Sequence, residues 1–230
     1  MPVTTCIFDA YGTLFDVSAA ARRAASEPDH RDIADDWPRI AEFWRQKQLQ
    51  YSWIRAITGA HTDFWQVTQD GLDWTLEKTG HAGDAQLRER LLALYWELQA
   101  YPEVPAMLAA LKQAGLNTAI LSNGSPGMLE GAIKSAGIGD MLDDCLSVES
   151  VGIFKPNGQV YDLVTDRFGC TKAQVLFVSS NGWDAAAAKG YGFATAWVNR
   201  GGDPVDRLPW KPDSVLADLS GIPDLAVPSA

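Results

Sequence analysis

The sequence predicts an α/β fold, a Rossmann-like parallel sheet core carrying an inserted helical cap domain. Short apolar runs, each ended by polar or Gly-rich residues, alternate with helix-like stretches, the pattern of a parallel sheet built with right-handed crossovers. The alternation breaks once, over residues 16–99, where the pattern is wholly helical. Residues 1–15 and 100–230 therefore read as the core domain, and residues 16–99 as the cap.

The first strand runs through Val3, Cys6, Ile7 and Phe8 and closes in a turn containing Gly12, which puts Asp9 at its C-terminal end. Six of the nine tryptophans (Trp37, Trp44, Trp53, Trp65, Trp74 and Trp96) fall in the insertion and read as the core of a small bundle. There, Ile40, Phe43, Trp44, Tyr51 and Ile54 mark one face of a helix that starts near Pro38. Residues 101–105, Tyr-Pro-Glu-Val-Pro, read as the return linker. Four more strands are expected at 118–121, 145–148, 175–178 and 195–198, with helices at 104–113, 127–136, 159–168 and 184–189. A glycine follows each of these helices closely, as a C-terminal stop does.

Composition narrows the function. The 230 residues are 47% hydrophobic, enough for a sizeable core, and carry a net charge of -10, which repels polyphosphates and argues against nucleic acid as a partner. The longest uncharged stretch, 113–129, holds Asn117, Ser122, Asn123 and Ser125 and is too polar to span a bilayer. No Lys or Arg precedes Arg22, so a secretory signal is not expected and the cytoplasm is. Cys6, Cys145 and Cys170 are odd in number and widely spaced and read as free, mostly buried thiols.

Chemistry gathers at the strand ends. A carboxylate at Asp9, with Gly12 letting the backbone curl and Thr13 offering a hydroxyl, suits a nucleophile, although an isolated Asp-x-x-Gly is more often only an acidic turn. Ser122 and Asn123 follow the second strand, Lys155 precedes a helix, and Ser179, Asn181, Trp183 and Asp184 follow a later strand. A parallel sheet brings all four sets to one edge.

This ordered set resembles the haloacid dehalogenase superfamily and, more narrowly, its L-2-haloacid dehalogenases. The likeness rests on DAYGTLFD (9–16), WRQKQLQYSW (44–53), LSNGSP (121–126), FKP (154–156) and FVSSNGWD (177–184). Ala10, Phe154 and Gly182 depart from the residues common in that family, Leu, Tyr and Ala, without removing a reactive group. The superfamily's phosphatases place a second acid two residues after the nucleophile and hold magnesium with further carboxylates. Here Tyr11 and Ser179 stand at those places, leaving Asp9 and Asp184 as too poor a set for a hard cation.

The resemblance implies a hydrolase of short L-2-haloalkanoic acids that yields D-2-hydroxy acids, with inversion, through an ester on Asp9, and with no metal or cofactor. Asp184 would activate the hydrolytic water, Lys155 would balance the two carboxylates, and Thr13, Tyr161, Ser179 and Asn181 would support them. Arg45, Asn123 and Phe64 would bind the halide. Ser122 and the N–H groups of Ala10 and Tyr11 would hold the substrate carboxylate, with Gln46, Leu49 and Trp183 as pocket walls. The family also implies a homodimer. Two other readings remain at this point, a magnesium-dependent small-molecule phosphatase and a catalytically silent anion-binding protein of the same fold.

Overall fold

Four consecutive buried residues, Thr5–Phe8, form β1, and a continuous buried run is what a strand covered on both faces needs. In the computed structural model, which describes residues 2–227, β1 runs parallel to β2 (Asn117–Ser122) and β4 (Val175–Ser179). Phe8 lies opposite Ile120 on one side and Val178 on the other. With β3 (Asp144–Ser147), β5 (Ala194–Val198) and β6 (Ser214–Leu216), the six-stranded sheet has the order β3-β2-β1-β4-β5-β6. Ligands of such sheets bind beyond the carboxyl ends of the strands, where the order reverses. That point is β1, and Asp9 follows it.

The sixth strand is an addition to the five expected. It has three residues, pairs only with the β5 edge through Ala196, Trp197 and Val198, and is too short to show a period in sequence.

After β1 the chain enters a run of helices: α1 (Ser18–Ala25), α2 (Trp37–Thr58), α3 (Phe64–Thr79) and α4 (Ala85–Leu94). The entering and leaving segments lie side by side. Phe15 bridges Ala100, Asp16 N donates to Gln99 O at 3.1 Å, and Tyr101 N donates to Leu14 O at 2.9 Å. Helix α5 (Val104–Gln113) begins within the expected linker, with Pro105 in its first turn. It is followed by α6 (Pro126–Ala136), α7 (Gly158–Phe168), α8 (Gly182–Tyr191) and α9 (Ile222–Ala226).

Two expectations about the insertion change. The buried side of α2 is Ile40, Trp44, Gln48 and Ser52, while Ile54 is 51% exposed. The apolar residues alone trace a different stripe because the seam contains polar groups. Gln48 donates to Thr68 Oγ1 at 3.0 Å and accepts from the Tyr95 hydroxyl at 3.0 Å, so its burial leaves its amide oxygen and nitrogen paired. Of the six tryptophans, only Trp44 is fully buried; Trp96 is exposed and the others are half-buried. Cys6 is buried, while Cys145 and Cys170 are only partly so.

Candidate active site

Asp9 leaves β1 directly, its N–H donating to Val178 O at 2.9 Å. The chain then turns back through Gly12, whose φ of 86° is open to glycine and whose missing Cβ would lie 3.0 Å from Ser180 Oγ. That turn folds Thr13 over Asp9. The Thr13 hydroxyl donates to Asp9 Oδ2 at 2.9 Å and accepts the Ser180 N–H at 2.8 Å. Asn181 Nδ2 donates to the same Oδ2 at 3.0 Å. One oxygen of Asp9 is thus held by two donors.

The other oxygen faces Lys155. Its ammonium donates to Asp9 Oδ1 at 3.2 Å and to Asp184 Oδ2 at 2.9 Å, and Asp184 Oδ1 accepts from the Tyr161 hydroxyl at 2.7 Å. Lys155 and Asp184 are 1% and 0% exposed, so their charges need these partners. Phe177 lies under the ammonium, 5.0 Å from ring centroid to Nζ. Burial works against the charged lysine, but the attraction of Asp184 and Asp9 overcomes it and raises the Lys155 pKa. For Asp184, burial and the charge of Asp9 outweigh Lys155, and its pKa rises above the ordinary carboxylate value. One cation shared by two carboxylates cannot fully satisfy both. Burial also lifts the Tyr161 and Tyr11 hydroxyls well above their usual pKa.

Arg45 on α2 reaches this centre from the helical side. Its Nη2 donates to Asn181 Oδ1 at 3.0 Å and to Tyr11 O at 3.3 Å. Asn181 thereby touches Arg45 with its oxygen and Asp9 with its nitrogen. Across the sheet edge, Asn123 Oδ1 accepts from Lys155 N at 2.9 Å, and its amide hydrogens meet no acceptor among the described residues. Phe64, the first residue of α3, is buried, with its ring centroid 6.2 Å from that of Tyr11. The Tyr11 hydroxyl is buried without a partner among the described residues. Among those residues, the N–H groups of Ala10 and Tyr11 also donate to no protein acceptor.

The remaining expected residues divide. Ser122 is buried and accepts from Gly124 N at 3.0 Å, and Ser179 accepts from Asn181 N at 3.1 Å. Leu49 is half-buried one turn after Arg45. Trp183 packs edge-on against Trp53 of α2, centroids 5.3 Å apart, and with Pro156 lines an apolar cleft of about 420 Å³. Gln46 does not join the site. It is exposed and donates to Glu42 one turn back at 2.9 Å, because one residue beyond Arg45 lies about 100° around the helix.

Two neighbours of the Asp9 turn were absent from the expected set. Ser180 holds Thr13, as described. Arg200, just after β5, donates to Thr13 O at 3.3 Å, pairs with Glu103 at 2.6 Å and lies 3.7 Å over the Tyr101 ring. It thereby ties the Asp9 turn to the segment that returns from the helices. An arginine that far from any motif carries no local signal. Among the described residues, no group of three or more His, Cys, Asp or Glu side chains is arranged to hold a metal ion.

Known proteins resemble this chain in sequence and fold. Residues 3–192 match the sequence profile of the haloacid dehalogenase-like hydrolases. The chain is 42% identical over 224 residues to (S)-2-haloacid dehalogenase 1 of Pseudomonas sp. (strain CBS-3), covering 97% of this chain and 96% of that protein. It is 35% identical over 215 residues to haloacetate dehalogenase H-2 of Moraxella sp. (strain B), covering 94% of each. The solved structure of L-2-haloacid dehalogenase from Xanthobacter autotrophicus with chloropropionic acid covalently bound superposes with a TM-score of 0.87 at 37% identity, covering 99% of this chain and 100% of that one. Fold and sequence agree over nearly the full length, and the chain belongs to the haloacid dehalogenase-like hydrolase family, where it groups with the (S)-2-haloacid dehalogenases.

Proposed function

We propose that this protein hydrolyses short L-2-haloalkanoic acids to D-2-hydroxy acids, with inversion, through an ester on Asp9. The observation that carries the reading is the buried chain Asp9, Lys155, Asp184 and Tyr161. Asp9 Oδ2 is held by Thr13 and Asn181, which leaves Oδ1 the freer oxygen to attack the substrate's Cα. As the Oδ1–C bond forms, the carbon–halogen bond breaks and the halide takes its electron pair. Arg45, Asn123 and Phe64 are assigned to receive it, as directed donors and an apolar wall in a site shielded from water.

Water then attacks Cγ of the Asp9 ester. Asp184 accepts its proton, a task favoured by a carboxylate whose pKa is raised. Collapse restores Asp9, and the departing alkoxide is protonated, so one proton and one halide are released per turnover. Lys155 keeps two carboxylates compatible at close range, and Tyr161, Ser179 and Asn181 hold the groups in place. Ser122 and the unused N–H groups of Ala10 and Tyr11 are assigned to the substrate carboxylate, and Leu49 and Trp183 to the walls.

The donor set suits no magnesium-dependent phosphatase. Asp9 and Asp184 each place an oxygen on Lys155, and Ser179 offers no charge where that chemistry needs one. In this reading residues 16–99 are the cap domain, the protein is a cytoplasmic homodimer, and no cofactor takes part. Among the described residues no helix is long and apolar enough to cross a membrane. Halide release from (S)-2-chloropropanoate, measured before and after exhaustive EDTA treatment, tests the assignment. Equal rates are expected. Absence of halide, or activity restored only by Mg²⁺, overturns it.

A further inference from the structure

We infer that Glu149 is a positioning residue that joins the two halves of the halide site, one half on the helical cap and one on the sheet. This rests on the dehalogenase reading and adds to it a residue outside every motif above. Glu149 lies in the 3-10 turn Val148–Ser150 that follows β3, and both of its carboxylate oxygens cross to the cap. Oε1 accepts the N–H of Phe64 at 3.2 Å, and Oε2 pairs with His61 Nε2 at 3.0 Å.

Phe64 is the first residue of α3, where backbone N–H groups lack helical partners and a negative charge is favoured. Asp63, just before the helix, caps this end by accepting Gln66 N. Glu149 adds a second carboxylate from the core, at the residue whose ring stacks on Tyr11. The His61 ring packs on Phe154, centroids 4.8 Å apart, next to Lys155.

On the sheet side Glu149 is itself anchored. Its N–H donates to Ser147 Oγ at 3.2 Å, and the Ser147 hydroxyl donates to Gly124 O at 2.6 Å. Gly124 follows Asn123, and its missing Cβ would lie 2.7 Å from Tyr11 Cε2. A continuous path therefore runs from Asn123 through Gly124, Ser147 and Glu149 to Phe64. If Phe64 drifts, the leaving halide loses its wall while Asp9, Lys155 and Asp184 stay as they were. The loss falls hardest on chloride, the poorer leaving group, which depends more on stabilisation at departure.

The test compares Glu149→Ala, Glu149→Gln and the wild type on (S)-2-chloropropanoate and (S)-2-bromopropanoate, with thermal melting alongside. For Glu149→Ala, kcat/KM on the chloro acid should fall about tenfold, and the bromo-to-chloro ratio should rise at least about threefold. Glu149→Gln keeps an oxygen for Phe64 N–H and should recover most of the chloro activity. An unchanged ratio, whether both rates hold or both fall together, overturns the inference. If Glu149→Ala does not fold, Ser147→Ala cuts the same path and carries the same expectation. Wild-type halide release separates the two readings. With none, the dehalogenase assignment fails and takes this inference with it; with normal release and an unmoved ratio, only the role of Glu149 fails.

Discussion

The Tyr161 hydroxyl donates to Asp184 Oδ1 at 2.7 Å, which makes this tyrosine, among the described residues, the one side-chain donor to Asp184 that does not also serve Asp9. Burial and Asp9 raise the Asp184 pKa, and the Tyr161 bond opposes them. Tyr161→Phe should therefore raise it further. Under the proposed mechanism ester hydrolysis needs ionised Asp184, so the acid limb of the kcat profile should move to higher pH, with activity falling more in acid than in alkali. A pH–rate profile of the variant with an unmoved acid limb would remove Asp184 as the base.

Arg45 makes two directed contacts from one nitrogen, to Asn181 Oδ1 and Tyr11 O. A planar guanidinium can hold both and still present donors to a halide, which an ammonium cannot. Arg45→Lys should lower turnover at least about tenfold, roughly 1.4 kcal/mol in transition-state stabilisation. Steady-state halide release checks this, and wild-type turnover would place Arg45 outside the chemistry.

Lys155→Met leaves Asp9 and Asp184 facing each other with no cation between them. Removing one member of a buried charge set costs about 3–5 kcal/mol, and urea unfolding at neutral pH should show a loss of that order. The loss should shrink in acid, where a carboxylate can take up a proton. In the wild type the Lys155 pKa lies above its ordinary 10.5. Its stabilisation is thus complete below pH 10.5 and declines only as pH rises through the higher folded value. A variant as stable as the wild type at neutral pH would contradict the electrostatic account.

If Asp9 attacks carbon, the product's hydroxyl oxygen comes from Asp9, and the water oxygen stays on the enzyme. A single turnover in H₂¹⁸O with excess enzyme should put ¹⁸O in the peptide containing Asp9 and leave the hydroxy acid unlabelled. Mass analysis of both distinguishes the routes, whereas Asp9→Asn should abolish activity in either case. Label in the first-turnover product alone would mean direct attack by water.

The residues legible in the sequence are those whose chemistry and strand-end position coincide, Asp9, Asn123, Lys155 and Asp184, because a parallel sheet converts strand order into proximity. Arg45 and Phe64 were legible only through the resemblance, as nothing in a helix's own pattern says what its far face meets. Gln46 failed for that reason, lying one position off the face that Arg45 presents. Ser180, Glu149 and Arg200 were invisible because each acts through a backbone group or across the seam between cap and core, and such contacts leave no spacing to read. The strand β6 was missed because three residues cannot display a period.

The paired crossing at Phe15 and Ala100 bears on how such enzymes diversify. Entry and exit sit next to each other, so the helices between them close on themselves like a loop, and the pairing of Phe8 with Ile120 needs nothing from them. A different helical insert could be spliced at the same two points without disturbing strand order or the Asp9, Lys155 and Asp184 triad. Under the proposed mechanism, the leaving-group contacts from Arg45 and Phe64 would change with the insert, while Asn123, Asp9 and Asp184 persisted on the sheet. Part of the substrate preference would then vary independently of the bond-making groups.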